Sequence, residues 1–182
     1  IANQLYLMCE SNNVNFEKVK KLMQKGYERN INLPSAGLSA GPCLLKDTMQ
    51  LRAFFKGNFD LGYAAMKINE NKIVELIIKK VKSIKSFKKK IIGVLGVAFK
   101  AETDDIRDSL SIKIIKKLKK MKLNVIYTDE YYSNKNNYNL KKFVKESQII
   151  ILGAPHKKYK SMLFPINKNY IDIWSIIKKV KH

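Results

Sequence analysis

The chain has 182 residues, 46% of them hydrophobic, and a formal net charge of +21. This composition is typical of a folded globular protein and excludes a disordered chain, and no apolar run approaches the roughly 20 residues that span a bilayer. Cys9 and Cys43 are its two cysteines, and the N-terminus has no signal-like segment, so we expect a protein of the reducing cytoplasm.

The positive charge comes almost entirely from lysine, since arginine occurs only at Arg29, Arg52 and Arg107. A basic protein attracts nucleic-acid phosphates, but readers of phosphates and base edges usually rely on the planar guanidinium group of arginine. The scarcity of arginine therefore weighs against specific nucleic-acid recognition. The lysine-rich run at 79–90 is typical of a solvated helix end and a linker.

Helical patterns occupy the first half of the chain. Apolar residues at helical spacing predict a helix over 1–10, and Asn15 is a good N-cap for a second helix that stops at Gly26. Residues 27–42 show no sustained periodicity and predict a loop, after which a helix is expected as far as Phe55.

The stretch 61–84 repeats apolar residues at helical spacing and predicts one long amphipathic helix. An apolar stripe of this length needs a partner surface. We expect a homodimer in which two copies of this helix face each other. The stripe consists of Ala64, Ala65, Ile68, Ile73, Leu76, Ile77 and Val81.

The second half changes to the pattern of buried parallel strands. Three short apolar runs rich in β-branched residues are separated by two helical patterns, and a fourth strand follows. The runs are 91–98, 123–128 and 148–154, the helices 109–121 and 140–146, and the last strand 170–174. We predict an α/β protein in two parts: a helical central dimerisation segment, residues 1–86, and a small doubly wound, Rossmann-like domain with a parallel sheet, residues 87–182.

The segment 41–47, Gly-Pro-Cys-Leu-Leu-Lys-Asp, places a thiol, an amine and a carboxylate directly after a turn rich in glycine and proline. The thiolate is the nucleophilic form of cysteine, and a helix N-terminus or a nearby cation favours it. Cys43 is therefore a candidate nucleophile. The alternative is a buried core cysteine, since free cysteine is among the most buried residue types.

A second group of charged residues follows the first predicted strand. Residues 99–109 contain Lys100, Arg107 and four acids, and ligands in open α/β sheets bind at the carboxyl ends of the strands. The preceding segment 93–98 lacks the G-x-G-x-x-G spacing of a pyrophosphate-binding turn. These residues alone fit equally well a charged turn that caps the next helix.

Taken together, segments 41–47 and 93–109 resemble the nucleotide-sugar 6-dehydrogenase family, which includes UDP-glucose, GDP-mannose and UDP-N-acetyl-hexosamine dehydrogenases. Further similarity lies in Ala-Pro-His at 154–156 and Asp-Ile-Trp at 172–174. The resemblance implies an NAD-dependent, two-step oxidation of a sugar C6 alcohol to a carboxylate, through a thiohemiacetal and a thioester on Cys43.

The resemblance also implies roles for individual residues. Asp47 matches an acid that positions or activates water, and Lys46 matches a neighbouring lysine of the same motif. Lys100 matches a lysine that reaches the nucleotide sugar, and Arg107 matches an arginine near the cofactor or the nucleotide phosphates. Further substrate-binding candidates, in the loop before the cysteine, are Arg29, Leu33 and Gly41.

Two departures from the family pattern limit these expectations. The more familiar family motif has a Gly-Gly pair before x-Cys, whereas this chain has Ala40-Gly41-Pro42, and Pro42 restricts Gly41 to extended conformations. The usual assignment to UDP-glucose therefore cannot simply be transferred, and the sugar and the base stay open. The sequence has no N-terminal dinucleotide-binding domain, so we expect NAD to bind mainly outside these residues and the isolated chain to be inactive.

Two other functions stay open. One is a noncatalytic module that binds a nucleotide sugar or dimerises, and the other is a nucleic-acid binder driven by the charge. No metal site is expected, because His156 and His182 lack a cysteine or histidine partner at ligand spacing.

Overall fold

The computed structural model describes residues 1–180. The chain divides into two compact units, one formed by Ile1–Gly37 and the other by the residues from Leu38 onward. The domain boundary expected between residues 86 and 87 stays a prediction.

The first unit contains a helix pair followed by a loop. Helix α1 spans Ala2–Ser11 and helix α2 spans Phe16–Gln24. The Asn15 side chain accepts a hydrogen bond of 2.9 Å from the Lys18 N–H, which confirms the predicted N-cap of α2.

A helical hairpin opens the second unit. Helix α3 spans Pro42–Phe54, and α4 spans Asp60–Lys67. A π-helical turn at Ile68–Lys72 follows without a break, and α5 continues over Ile73–Ser83. The helix predicted at 61–84 is therefore one helical path whose register changes at the π-turn, where backbone groups become available to other partners.

The remaining residues form the α/β part of the second unit. Its helices are α6 at Leu110–Lys120, α7 at Leu140–Glu146 and α8 at Lys157–Ser161. Its strands are β1 at Ile92–Leu95, β2 at Val125–Thr128, β3 at Ile149–Leu152, β4 at Leu163–Pro165, β5 at Asn169–Ile171 and β6 at Lys178–Val180.

Four of these strands form a parallel sheet in the order β2-β1-β3-β5, and β4 pairs with β6 in a separate parallel pair. The predicted parallel sheet is confirmed, whereas the β4–β6 pair was not predicted. Because the chain runs from β1 to β2 on one side and then to β3 on the other, the strand order reverses beside β1. In such sheets the crevice outside the carboxyl ends of these strands is where ligands bind.

The apolar stripe of α5 is buried inside the second unit. Ile73, Val74, Ile77 and Val81 are fully inaccessible to solvent, and α5 packs against α6 and β5. Burial of each aliphatic side chain contributes about 2 kcal/mol relative to exposure. The expectation that this stripe faces a second copy is wrong for its members Ile73, Ile77 and Val81, because their surface is already used by the chain's own sheet domain.

Candidate active site

Cys43 lies in the first turn of α3, directly after Pro42, and its side chain is exposed. This position does not fit the alternative of a buried core cysteine. Proline suits the first helical position because its missing N–H would be unpaired there in any case. The N–H groups of the first turn have no partner within the helix and favour negative charge beside them.

A cleft of about 320 Å³ lies between α3 and the helical path that faces it. Cys43 and Asp47 both line this cleft, because residues four apart lie on the same face of a helix. Lys46 lies outside the lining and forms an exposed ion pair of 3.8 Å with Asp47, which contributes little to stability. The other polar residues of the lining are Ser39, Thr48, Asn69 and Glu70.

Gly41 brings the cysteine segment into contact with the second motif. Its ψ of +159° is extended, as expected before Pro42, but its φ of +136° is one that residues with a Cβ rarely adopt. The expected extended conformation is therefore wrong in φ. A Cβ at this position would lie 3.0 Å from the Cδ2 and Cε2 atoms of Phe99, so a larger residue would require the ring to move.

Arg107 lies in the same loop as Phe99 and is held by a neighbouring acid. Its Nη2 and Nε atoms donate to Asp105 Oδ2 at 2.7 and 3.0 Å, while the Arg107 side chain stays 74% exposed. These hydrogen bonds and the Asp105 charge raise the pKa of Arg107, so the guanidinium stays protonated.

Lys100 is exposed and follows Phe99 directly, with its Nζ atom 5.4 Å from the centre of the Phe99 ring. Its charge helps to lower the pKa of Asp105, behind the larger effect of the Arg107 hydrogen bonds. The contact between Gly41 and Phe99 therefore places the segment of Gly41 and Cys43 against the loop that carries Lys100 and Arg107.

A second cleft, of about 450 Å³, lies at the N-terminus of α6. Arg107 and Ser109 line it, and so does Glu70, which also lines the Cys43 cleft. The Ser109 Oγ atom is buried and has no hydrogen-bond partner within residues 1–180. The cleft thus combines the Arg107 guanidinium and the N-terminus of α6, which favour an anion, with the carboxylates of Asp108 and Glu70, which oppose one.

Lys113 of α6 joins the π-turn to the sheet domain. Its Nζ atom donates to the Glu70 carbonyl oxygen at 2.7 Å and lies 3.2 Å from Glu70 Oε2. Sequence reasoning missed this contact, because neither the π-turn nor the partner of one lysine among many has a sequence signal. Lys113 therefore fixes the position of Glu70, which lines both clefts.

Asp129 and His156 form a buried pair at the carboxyl ends of β2 and β3. His156 Nε2 lies 3.2 Å from Asp129 Oδ2, and the same oxygen accepts the Val97 N–H at 2.6 Å. Burial alone would raise the pKa of Asp129. Hydrogen bonds from His156 and from the backbone N–H groups of Tyr132, Val97 and Tyr131 outweigh burial and lower that pKa to about 2. The similarity of 154–156 to a family motif marked this segment, but no sequence signal gave His156 this role.

Arg29 and Leu33 belong to the first unit. Arg29 lies exposed in a short 3₁₀ helix at Glu28–Asn30, and Leu33 is half-buried in the following loop. Their assignment to substrate binding stays a prediction.

Histidine, cysteine and carboxylate side chains form no cluster of three suited to a metal ion within residues 1–180. None of the helices in that range combines the length and the apolarity needed to cross a bilayer. His182 lies outside the described residues.

Comparison with known proteins identifies the class. Residues 93–179 match the family described as UDP-glucose/GDP-mannose dehydrogenase family, UDP binding domain. The chain is 29% identical over 169 residues to UDP-N-acetyl-D-mannosamine dehydrogenase from Pyrococcus horikoshii. This alignment covers 89% of the chain and 39% of that protein. The chain is also 33% identical over 125 residues to UDP-glucose 6-dehydrogenase from Rickettsia bellii. This second alignment covers 64% of the chain and 28% of that protein.

A solved structure of UDP-D-ManNAc dehydrogenase from Pyrococcus horikoshii superposes with a TM-score of 0.75 at 25% identity. The match covers 94% of the chain and 47% of that structure. Residues 93–179 therefore match the UDP binding domain of this family, and the chain spans well under half the length of the curated relatives named above. The family resemblance and the α/β fold class are thereby confirmed, while the relatives differ in their sugar.

Proposed function

We propose that the chain carries the cysteine nucleophile and the nucleotide-binding site of an NAD-dependent dehydrogenase that oxidises the C6 alcohol of a nucleotide sugar to a carboxylate. The observation that carries the proposal is the contact between Gly41 and Phe99. It joins the start of the Cys43 helix to the loop of Lys100 and Arg107 within one compact unit.

Cys43 acts on the aldehyde that the first oxidation produces. Its thiolate adds to C6, and the resulting thiohemiacetal loses a hydride to become a thioester. Water then hydrolyses the thioester, which releases the carboxylate and returns the thiol. When bound, NAD supplies the acceptor for each of the two hydrides.

Asp47 orients the water for this last step. It lines the same cleft as Cys43, one helical turn further along α3, and its carboxylate is 59% exposed and thus open to a water molecule. Lys46 pairs with Asp47 from outside the cleft, so we assign it the indirect role of holding that carboxylate.

Lys100 and Arg107 bind phosphates. Lys100 follows the carboxyl end of β1 and supplies a cation to the nucleotide sugar, with Gly41 as a further sugar-binding candidate of the same unit. Arg107 takes part in cofactor binding, and the N–H groups in the first turn of α6 present further donors for a pyrophosphate in the adjacent cleft. A homodimer through the helical path near 61–84 would use exposed residues such as Leu61, which is 84% accessible.

Calorimetric titration of the chain with UDP tests the proposal, with UMP and GDP as comparison ligands. We expect UDP to bind, and we expect Lys100→Ala to weaken binding about tenfold, as the loss of one charge-assisted contact implies. Lys119→Ala, on the exposed face of α6, is the matched control and should leave the affinity unchanged. Failure of both UDP and GDP to bind would overturn the nucleotide-binding role.

A further inference from the structure

Glu102 lies at the centre of the loop that carries Lys100 and has a strained backbone. Its φ of +58° is a left-handed conformation that costs free energy in a residue with a side chain. Such a conformation persists where neighbouring groups hold it in place. The groups that hold Glu102 come from the loops after β2 and β3.

Three hydrogen bonds of 2.9 Å fix the Glu102 turn. The Glu102 N–H donates to His156 Nδ1, and the Glu102 carboxylate accepts from the Lys157 N–H and from the Tyr131 hydroxyl. The Lys157 N–H is the main cause of a lowered pKa of Glu102, followed by Tyr131. The carboxylate therefore stays ionised and keeps both contacts at neutral pH.

His156 can make its contacts in one tautomer. Its side chain is completely buried, and Nε2 faces the ionised carboxylate of Asp129, so Nε2 carries the proton. Nδ1 is then an acceptor, as the N–H of Glu102 requires. A second proton on the ring would place an N–H at Nδ1 against the N–H of Glu102.

The same pair holds the beginning of the loop. Asp129 Oδ2 accepts the N–H groups of Val97 and Ala98 at 2.6 and 3.1 Å while it pairs with His156. The loop is thus fixed at 97–98 through Asp129 and at Glu102 through His156. Lys100 lies between these two fixed points.

We propose that His156 is a positioning residue for nucleotide binding, which holds the loop of Lys100 in its binding conformation by accepting the Glu102 N–H at Nδ1. The proposal rests on the proposed function, in which Lys100 contacts the nucleotide. A loop that is ordered before the ligand arrives binds more tightly, because the ligand does not have to supply the cost of ordering it. His156 itself touches no substrate.

Two substitutions separate the contacts of His156. In His156→Asn the amide oxygen takes the place of Nδ1 and keeps an acceptor for Glu102, and in His156→Gln the longer amide keeps a group near Asp129. Both variants lose one buried partner, so we expect similar losses of thermal stability. They should differ in nucleotide binding, because only the asparagine keeps the Glu102 contact.

The readouts are the Kd for UDP by calorimetry and the hydrogen exchange of the Glu102 amide by NMR. We expect His156→Gln to raise the Kd about tenfold and to abolish protection of the Glu102 amide, as one lost hydrogen bond to the loop implies. His156→Asn should keep the protection and stay within about threefold of the unmodified protein. Equal Kd values and equal exchange in the two variants would overturn the proposal.

Two further measurements serve if neither variant folds. The nitrogen shifts of His156 in the unmodified protein should show a proton on Nε2 alone, and a proton on Nδ1 at neutral pH would overturn the proposal. Tyr131→Phe removes only the hydroxyl contact to Glu102 and should raise the Kd severalfold, and an unchanged Kd would count against it. If the unmodified protein does not bind UDP, the proposed function fails, while Glu102 exchange still decides whether His156 holds the loop.

Discussion

Gly41 and Phe99 are 58 positions apart in the sequence and in contact in the fold. A Cβ atom built on Gly41 would lie 3.0 Å from the nearest atoms of the Phe99 ring. Two segments that each carry charged or nucleophilic groups therefore meet at this contact. Gly41 also has a φ of +136°, which residues with a Cβ rarely adopt.

Replacement of Gly41 by alanine should destabilise the second unit more than the same change at Gly57. Both glycines have positive φ, but a Cβ at Gly57 would meet nothing within 4 Å, so Gly57→Ala measures backbone strain alone. We expect a loss of about 1 kcal/mol at Gly57 and about 2–3 kcal/mol at Gly41, where the Phe99 ring must also move. Urea denaturation of the two variants measures the difference, and equal losses would show that the Phe99 contact adds no cost.

The contact between Lys113 and Glu70 leads to a second prediction. Lys113→Met keeps the length of the aliphatic chain and leaves the Glu70 carbonyl oxygen without its charged donor, so we expect a loss of about 1–3 kcal/mol in the free energy of unfolding. Lys119→Met is the matched control, because Lys119 is exposed on the same helix. Chemical denaturation should show a loss for Lys113 alone; a similar effect of both changes would contradict a specific role of Lys113.

Local patterns predicted most elements of this fold. The run of β-branched residues at Ile149–Leu152 predicted a buried strand, and the side chain of Asn15 identified the start of α2. The segment 41–47 marked Cys43 as a candidate nucleophile, and the structure leaves this residue exposed. Each of these inferences uses residues within a few positions of one another.

Features that depend on the tertiary arrangement were beyond such patterns. The hydrogen bond between Glu102 and His156 joins residues 54 positions apart, and neither residue type signals it. The three-residue strands Leu163–Pro165 and Lys178–Val180 are too short for a periodic signal and form through their pairing. The stripe on α5 showed that a face is buried but not which surface covers it.

Asp129 should make the stability of the protein depend on acid pH. Its pKa falls from an ordinary value of 3.8 to about 2 in the folded state, so the folded protein binds this proton less readily than the unfolded chain. The resulting stabilisation, about 2 kcal/mol, is fully present above pH 4 and is lost as the pH falls from 3.8 towards 2. Asp129→Asn removes this titration, so the unfolding free energy of the variant should change less between pH 5 and pH 2. If the unfolding free energy fell equally between pH 5 and pH 2 in both proteins, Asp129 would not be the cause of the acid dependence.

Selective alkylation tests the environment of Cys43. Because Cys43 is exposed and Cys9 is half-buried, iodoacetamide should modify Cys43 first, as peptide mass spectrometry would show. Cys43→Ser is the control, because it should leave only the slower modification at Cys9. Faster modification of Cys9 than of Cys43 would contradict the exposed position of Cys43 in the first turn of α3.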